Sequence, residues 1–80
     1  MTEDQLIKVM VAEIKDLLPE LEDTDISGTD SLVELGLNSM DRIDVIMAAQ
    51  NEVSANIPMT SFAPAKCIAD IARIIQDANA

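Results

Sequence analysis

An all-α domain is predicted for this chain, a small four-helix bundle of three main helices and one short helix, on three observations. Apolar residues occupy 49% of 80 positions, yet the aromatic class is reduced to Phe62. The core therefore has to be assembled from Leu, Ile, Val, Met and Ala, which suits packed helices better than a sheet sandwich. Apolar residues recur at helical spacing in three stretches, and Pro19, Gly28, Gly36, Pro58 and Pro64 fall between those stretches rather than inside them. The length fits a single domain over residues 1–80, one that buries a limited share of its surface and is modestly stable. No internal repeat or low-complexity tract divides it.

The first helix is expected over residues 3–18. Thr2 and Gln5 have the spacing of a capping box, Leu6, Met10, Ile14, Leu17 and Leu18 follow the helical period, and Pro19 ends it. From Pro19 to Gly36 the period is lost among Pro, Asp, Thr, Ser and Gly, but Leu21, Ile26, Leu32 and Leu35 are spaced as anchors, so a long loop pinned to the core is expected. The second helix begins near Ser39, with Asn38 or Ser39 as its cap. Met40, Ile43, Ile46, Met47, Gln50 and Val53 trace its expected inward side, which leaves Asp41, Arg42 and Asp44 outward. Met10, Met40 and Met47 are read as core residues, with Met40 beside Ser39 the one open to partial exposure and partner contact. Met59 to Ala63 makes one short helical turn before Pro64. Ile68, Ile71, Ala72 and Ile75 stand at i, i+3, i+4 and i+7, giving a last helix over about 65–77 with Asp70 and Arg73 outward.

Five Lys and Arg against fifteen Asp and Glu give a net charge of −10, which repels phosphate backbones and anionic lipid and favours basic protein surfaces. Nucleic acid and membrane are thus excluded as partners, and nothing in the sequence calls for more than a monomer. Cys67 is the one cysteine and histidine is absent, so neither an internal disulfide nor a zinc site of cysteines and histidines can form. Cys67 is read as a small buried hydrophobe. Charged residues interrupt the first twenty positions, excluding a signal peptide or membrane span there, and a cytoplasmic location is expected.

The segment Leu35-Gly36-Leu37-Asn38-Ser39-Met40-Asp41-Arg42 sets one hydroxyl between a glycine-containing turn and the start of an amphipathic helix. A bare serine there is most simply a helix cap. The same position also exposes the hydroxyl near the positive end of the helix dipole, where an attached anion is tolerated. No histidine is present to activate it, so a Ser/His/Asp hydrolase is excluded and any modification of Ser39 is made by another enzyme. The chain is read as no enzyme.

The segment resembles the attachment site of acyl carrier proteins, Leu-Gly-x-Asp-Ser-Leu, and the resemblance runs through the long loop, the Ile57-Pro58 step and the closing helix. It implies that Ser39 carries 4'-phosphopantetheine, on which acyl groups are held as thioesters. It further implies that Asn38, Met40, Asp41, Arg42 and Asp44 meet partner enzymes and that Ile57 and the inner face of the second helix line an acyl-holding core. The implied partners are a phosphopantetheinyl transferase and acyltransferase, ketosynthase or hydroxymethylglutaryl-synthase-like enzymes. Asn38 replaces the usual Asp, Arg42 brings a positive charge to a face that is usually neutral or acidic, and Met59 to Ala63 lacks acidic residues. With these departures the chain resembles freestanding carriers of polyketide pathways more than the general fatty-acid carrier. The Asn-Ser-Met-Asp-Arg string is similar to acetyl-donor carriers of β-branching cassettes.

Three alternatives stand beside this reading. A peptidyl carrier has the same architecture and differs in its loading enzyme. A plain acidic adaptor would carry no modification at Ser39. Asp23, Asp25, Ser27, Gly28 and Glu34 fit the oxygen-ligand and glycine positions of a calcium loop over 23–34, but Asp30 sits where such loops have an apolar residue, Pro19 ends the incoming helix, and no second loop pairs with it.

Overall fold

The computed structural model describes residues 1–78 and contains three α-helices, α1 (Glu3–Leu17), α2 (Ser39–Glu52) and α3 (Ile68–Ala78), with 3-10 turns at Pro19–Leu21 and Met59–Phe62. There is no strand among the described residues. Helix α1 starts at the expected capping box: Thr2 N–H donates to Gln5 Oε1 at 2.9 Å and Gln5 N–H to Thr2 Oγ1 at 3.2 Å. Leu18 is its C-cap, and Pro19, whose fixed φ suits a first helical position, opens a 3-10 turn where the sequence suggested only a stop. Two short turns therefore accompany the three helices, one more than the four-helix reading had.

Leu6, Met10 and Ile14 of α1 are fully buried against Val45, Ile46 and Ala49 of α2 and Ile68, Ile71, Ala72 and Ile75 of α3, with Leu32, Leu37 and Phe62 completing the core. Helix α1 packs against both other helices, whereas α2 and α3 meet sparsely. Buried Gln50 ties down the chain after α2: its Oε1 accepts Ile57 N–H at 2.7 Å and its carbonyl accepts Ala55 N–H at 2.9 Å.

The long loop is pinned as expected, by backbone as well as by apolar anchors. Leu37 N–H donates to Leu32 O at 3.1 Å and Gly36 N–H to Val33 O at 3.0 Å, with Gly36 at φ +99°. This is the Schellman pattern, and its usual apolar contact is supplied by Leu32 and Leu37, both buried. Further back, the loop satisfies the first turn of α3: Ile68 N–H donates to Asp30 O at 3.1 Å and Ala69 N–H to Gly28 O at 2.8 Å. The helix accordingly starts at Ile68, three residues later than its period suggested.

That docking explains Gly28. A Cβ there would lie 3.1 Å from Ile7 Cδ1 and 3.2 Å from Ala69 Cβ, so a side chain would wedge the loop away from α1 and α3. Gly28→Val should cost about 1–3 kcal/mol, the range for overpacking. A thermal melt should show a drop of roughly 4–8 °C per kcal/mol in a domain this small, and an unchanged midpoint would mean the contact is not close in solution.

The phase of α2 corrects the predicted inward face. Val45, Ile46, Ala49 and Gln50 are buried, while Met40, Ile43 and Met47 are 75%, 46% and 44% exposed. At about 100° per residue these three form one flank beside the buried stripe, so the apolar band of α2 is wider than the surface its own core covers. Arg42, expected outward, lies three residues after Ser39 and four before Ile46, on the inward line, and is half-buried. Asp44 is exposed as expected and Asp41 is half-buried.

Candidate functional site

Ser39 is the first residue of α2, but it does not cap it. Asn38 is the cap, its Oδ1 accepting Asp41 N–H at 2.8 Å, and its carbonyl accepts Arg42 N–H at 3.0 Å. The Ser39 side chain is thereby left free of a structural duty, on an exposed residue held by a rigid helix start. Its Oγ accepts one hydrogen bond, from Arg42 Nη2 at 3.1 Å.

Beside Ser39 opens a cleft of about 300 Å³, whose walls include Ile46 of α2, Met59 and Phe62 of the second 3-10 turn, and Ile71 of α3. It lies where α2 and α3 fail to close on each other. Arg42 and Lys66 also line it. The ion pairs among the described residues all involve Arg73, with Glu3 at 3.6 Å and Asp70 at 3.2 Å, so Arg42 and Lys66 have no carboxylate partner there. In a chain of net charge −10 the cleft beside Ser39 holds two unneutralised cations.

This arrangement fits the arm implied by the sequence resemblance. The hydroxyl is accessible, a phosphodiester at that point would meet cations and a helix N-terminus, and Arg42 Nε is shielded from solvent without an acceptor among the described residues, an orphaned donor beside the Ser39 oxygen. The apolar walls suit an acyl chain.

Asn38, Ser39, Met40, Asp41, Arg42 and Asp44 are gathered in the first two turns of α2 and its cap, as expected. Ile57 is not in the cleft wall; it packs against the core, its N–H held by Gln50. Lys66, Met59 and Phe62 were missed as cleft residues because only the turn of chain before α3 brings them opposite Ser39. Ile43 and Met47 were missed as surface residues because an apolar line looks alike whether its own core or a partner covers it.

Asp23, Asp25 and Glu34 do not converge. Glu34 lies within the turn that Gly36 closes, Asp30 Oδ2 accepts Ser27 N–H at 2.8 Å, and no group of three or more His, Cys, Asp or Glu among the described residues is placed to hold a metal ion. Asp30 serves the loop itself, its carboxylate closing a turn and its backbone carbonyl meeting the start of α3.

Near the cleft, Asp70 in the first turn of α3 accepts Lys66 N–H at 2.9 Å. That hydrogen bond, with further ones from Cys67 and the charge of Arg73, holds its carboxyl below the usual value against a smaller opposing effect of burial. Because the native value is depressed, the stabilisation from Asp70 is complete above about pH 4, the unfolded value, and is lost as pH falls through the native one. Asp70→Asn should therefore flatten this part of the acid limb. Urea melts between about pH 5 and 2 should show the native-to-variant gap narrowing on acidification, and a gap independent of pH would remove Asp70 from the account.

The profile of the phosphopantetheine attachment site family matches residues 8–75. A Bacillus subtilis (strain 168) protein, the polyketide biosynthesis acyl-carrier-protein AcpK, is 31% identical over 77 residues, covering 96% of this chain and 94% of its own. A chain in the crystal structure of the curacin biosynthetic pathway HMG synthase in complex with acetyl donor-ACP superposes with a TM-score of 0.83 at 36% identity, over 92% of this chain and 95% of that one. With an exposed serine freed from capping, a cationic apolar cleft beside it and matches that span nearly its whole length, this chain belongs to the phosphopantetheine attachment family as an acyl carrier protein, whose prosthetic group is 4'-phosphopantetheine.

Proposed function

We propose that residues 1–80 act as one attachment domain in which Ser39 bears the arm, and that the protein is a cytoplasmic, monomeric carrier of polyketide biosynthesis that delivers acetyl groups to a hydroxymethylglutaryl-synthase-like enzyme for β-branching. The observation that carries the attachment assignment is the division of labour at the start of α2, where Asn38 caps and Ser39 is left available. The pathway and the acetyl cargo are supported by the likeness to the acetyl-donor chain, at 36% identity, and to the Bacillus carrier. The arm supplies a thiol that holds acyl groups as thioesters. The chain's own residues hold, orient and present it: among the described residues the side chain on Ser39 Oγ is a guanidinium, which cannot act as a base, so the transferase supplies one and the carrier is no catalyst.

Partner enzymes meet the exposed flank of α2. Met40, Ile43 and Met47 offer apolar area next to Ser39, with Asp44 beside them. Asp44 sets approach and orientation more than lasting affinity, so docking is transient and weakens with salt.

Loading is tested by incubating the protein with coenzyme A and a broad-specificity phosphopantetheinyl transferase and recording intact mass. A gain of one phosphopantetheinyl group, located at Ser39 by fragmentation, is expected. No gain under conditions that load an established carrier would overturn the attachment assignment.

A further inference from the structure

Arg42 is the charged side chain of α2 that faces the cleft, and its surroundings are those of a cation awaiting a counter-ion. Ser39, Arg42 and Ile46 stand at i, i+3 and i+7, one line of the helix, and all three border the cleft. Nη2 of Arg42 donates to Ser39 Oγ at 3.1 Å. Nε, on the same edge of the planar guanidinium, is shielded from solvent and has no acceptor among the described residues. The sequence has fifteen carboxylate residues, yet none of those described pairs with Arg42. A charged donor withdrawn from water without a partner is a standing cost, and an anion brought to Ser39 Oγ would relieve it.

We propose that Arg42 is a positioning residue for the arm, its Nε and Nη2 edge gripping the phosphodiester on Ser39 while Lys66 adds a second cation at the cleft. The proposal rests on Ser39 being the attachment residue. A phosphodiester presents two non-bridging oxygens to a fork that has one prong already on Oγ and the other empty, the geometry in which arginine binds phosphate in bidentate fashion. Arg42 is thereby removed from the set of free docking charges. Its grip holds the root of the arm on the cleft side of Ser39, where Ile43 forms part of the rim, and away from exposed Met40 and Met47, and so biases a loaded arm toward the cleft before a partner arrives. Attachment also stabilises the fold, because it pairs a group that the unmodified protein leaves unpaired.

The test compares unmodified and loaded forms of the native protein, Arg42→Gln, Arg42→Lys and Lys66→Gln by phosphorus NMR and thermal melting, with intact mass establishing loading. In the native protein, the phosphodiester resonance should be displaced from its position in the urea-unfolded chain, and the loaded form should melt a few degrees above the unmodified one. Arg42→Gln should lose both the displacement and the melting gap, Arg42→Lys should keep part of each, and Lys66→Gln should lose the lesser share. The gap between forms is read within each variant, so a general loss of stability in Arg42→Gln does not imitate the effect. If Arg42→Gln is not loaded, Arg42→Lys decides, since it keeps the charge but not the fork. A native resonance and melting gap in the variant that is loaded would overturn the proposal, whereas failure of the native protein to gain mass would overturn the attachment reading beneath it.

Discussion

Ser39→Ala should take up no phosphopantetheine while remaining as well folded as the native protein. The two halves of that result come from the cap geometry. Asn38 Oδ1 holds Asp41 N–H, so α2 keeps its N-cap when the Ser39 hydroxyl is removed. The substitution deletes the hydrogen bond from Arg42, made at an exposed residue, and in exchange gains the better helix propensity of Ala, worth about 0.5 kcal/mol. The two changes nearly offset each other, and the melting midpoint should move by about 2 °C or less. Asn38→Ala is the converse: the Ser39 hydroxyl proposed to bear the arm remains, but the lost cap costs about 1 kcal/mol, a drop of roughly 4–8 °C. Intact mass after treatment with coenzyme A and a transferase, together with a melt of each variant, separates the roles. Loading of Ser39→Ala would place the attachment elsewhere, and early melting of that variant would make Ser39 the structural residue of the pair.

Local patterns made most of the fold legible. Thr2 and Gln5 marked the start of α1, and Leu6, Met10, Ile14, Ile68, Ile71, Ala72 and Ile75 are all buried, because a narrow periodic stripe leaves a helix little choice of face. Ser39 was legible from its neighbours rather than from itself. The start of α3 was misjudged because the groups that satisfy it, the carbonyls of Gly28 and Asp30, lie some forty residues away in the chain and leave no mark on the local pattern. Arg42 was misjudged because charge was taken for exposure. Its phase with Ser39 and Ile46 was readable and points inward, and the long apolar stem of arginine allows a charged residue to occupy such a position. On α2, Val45 and Ala49 are buried while Met40, Ile43 and Met47 are not. Apolar periodicity reports that a face is suited to being covered without saying by what, and here the chain's own core leaves part of that face open, the part proposed to meet partner enzymes.

Ile14→Ala should produce the largest loss of stability among simple truncations, and its contrast with Ile43→Ala tests that division of the apolar surface. Ile14 is fully buried near the end of α1, the helix that packs on both α2 and α3, and so neither neighbour can close the space left by its removed methyl groups without leaving the other. Truncation of a buried Ile costs about 2–5 kcal/mol, and an 80-residue domain has roughly 4–12 kcal/mol in all. A melt should show a fall of roughly 8–40 °C, with part of the population unfolded at about 37 °C. Ile43, 46% exposed, loses the same atoms from a surface already half in water, and its truncation should cost about 1 kcal/mol or less. The functional order is reversed: Ile43→Ala should be loaded normally yet engage partner enzymes more weakly, because it trims the flank beside Ser39, whereas Ile14→Ala, wherever it remains folded, keeps that flank whole. If the two variants melted alike, Ile43 would belong to the core and the docking surface assigned to α2 would lose its apolar centre.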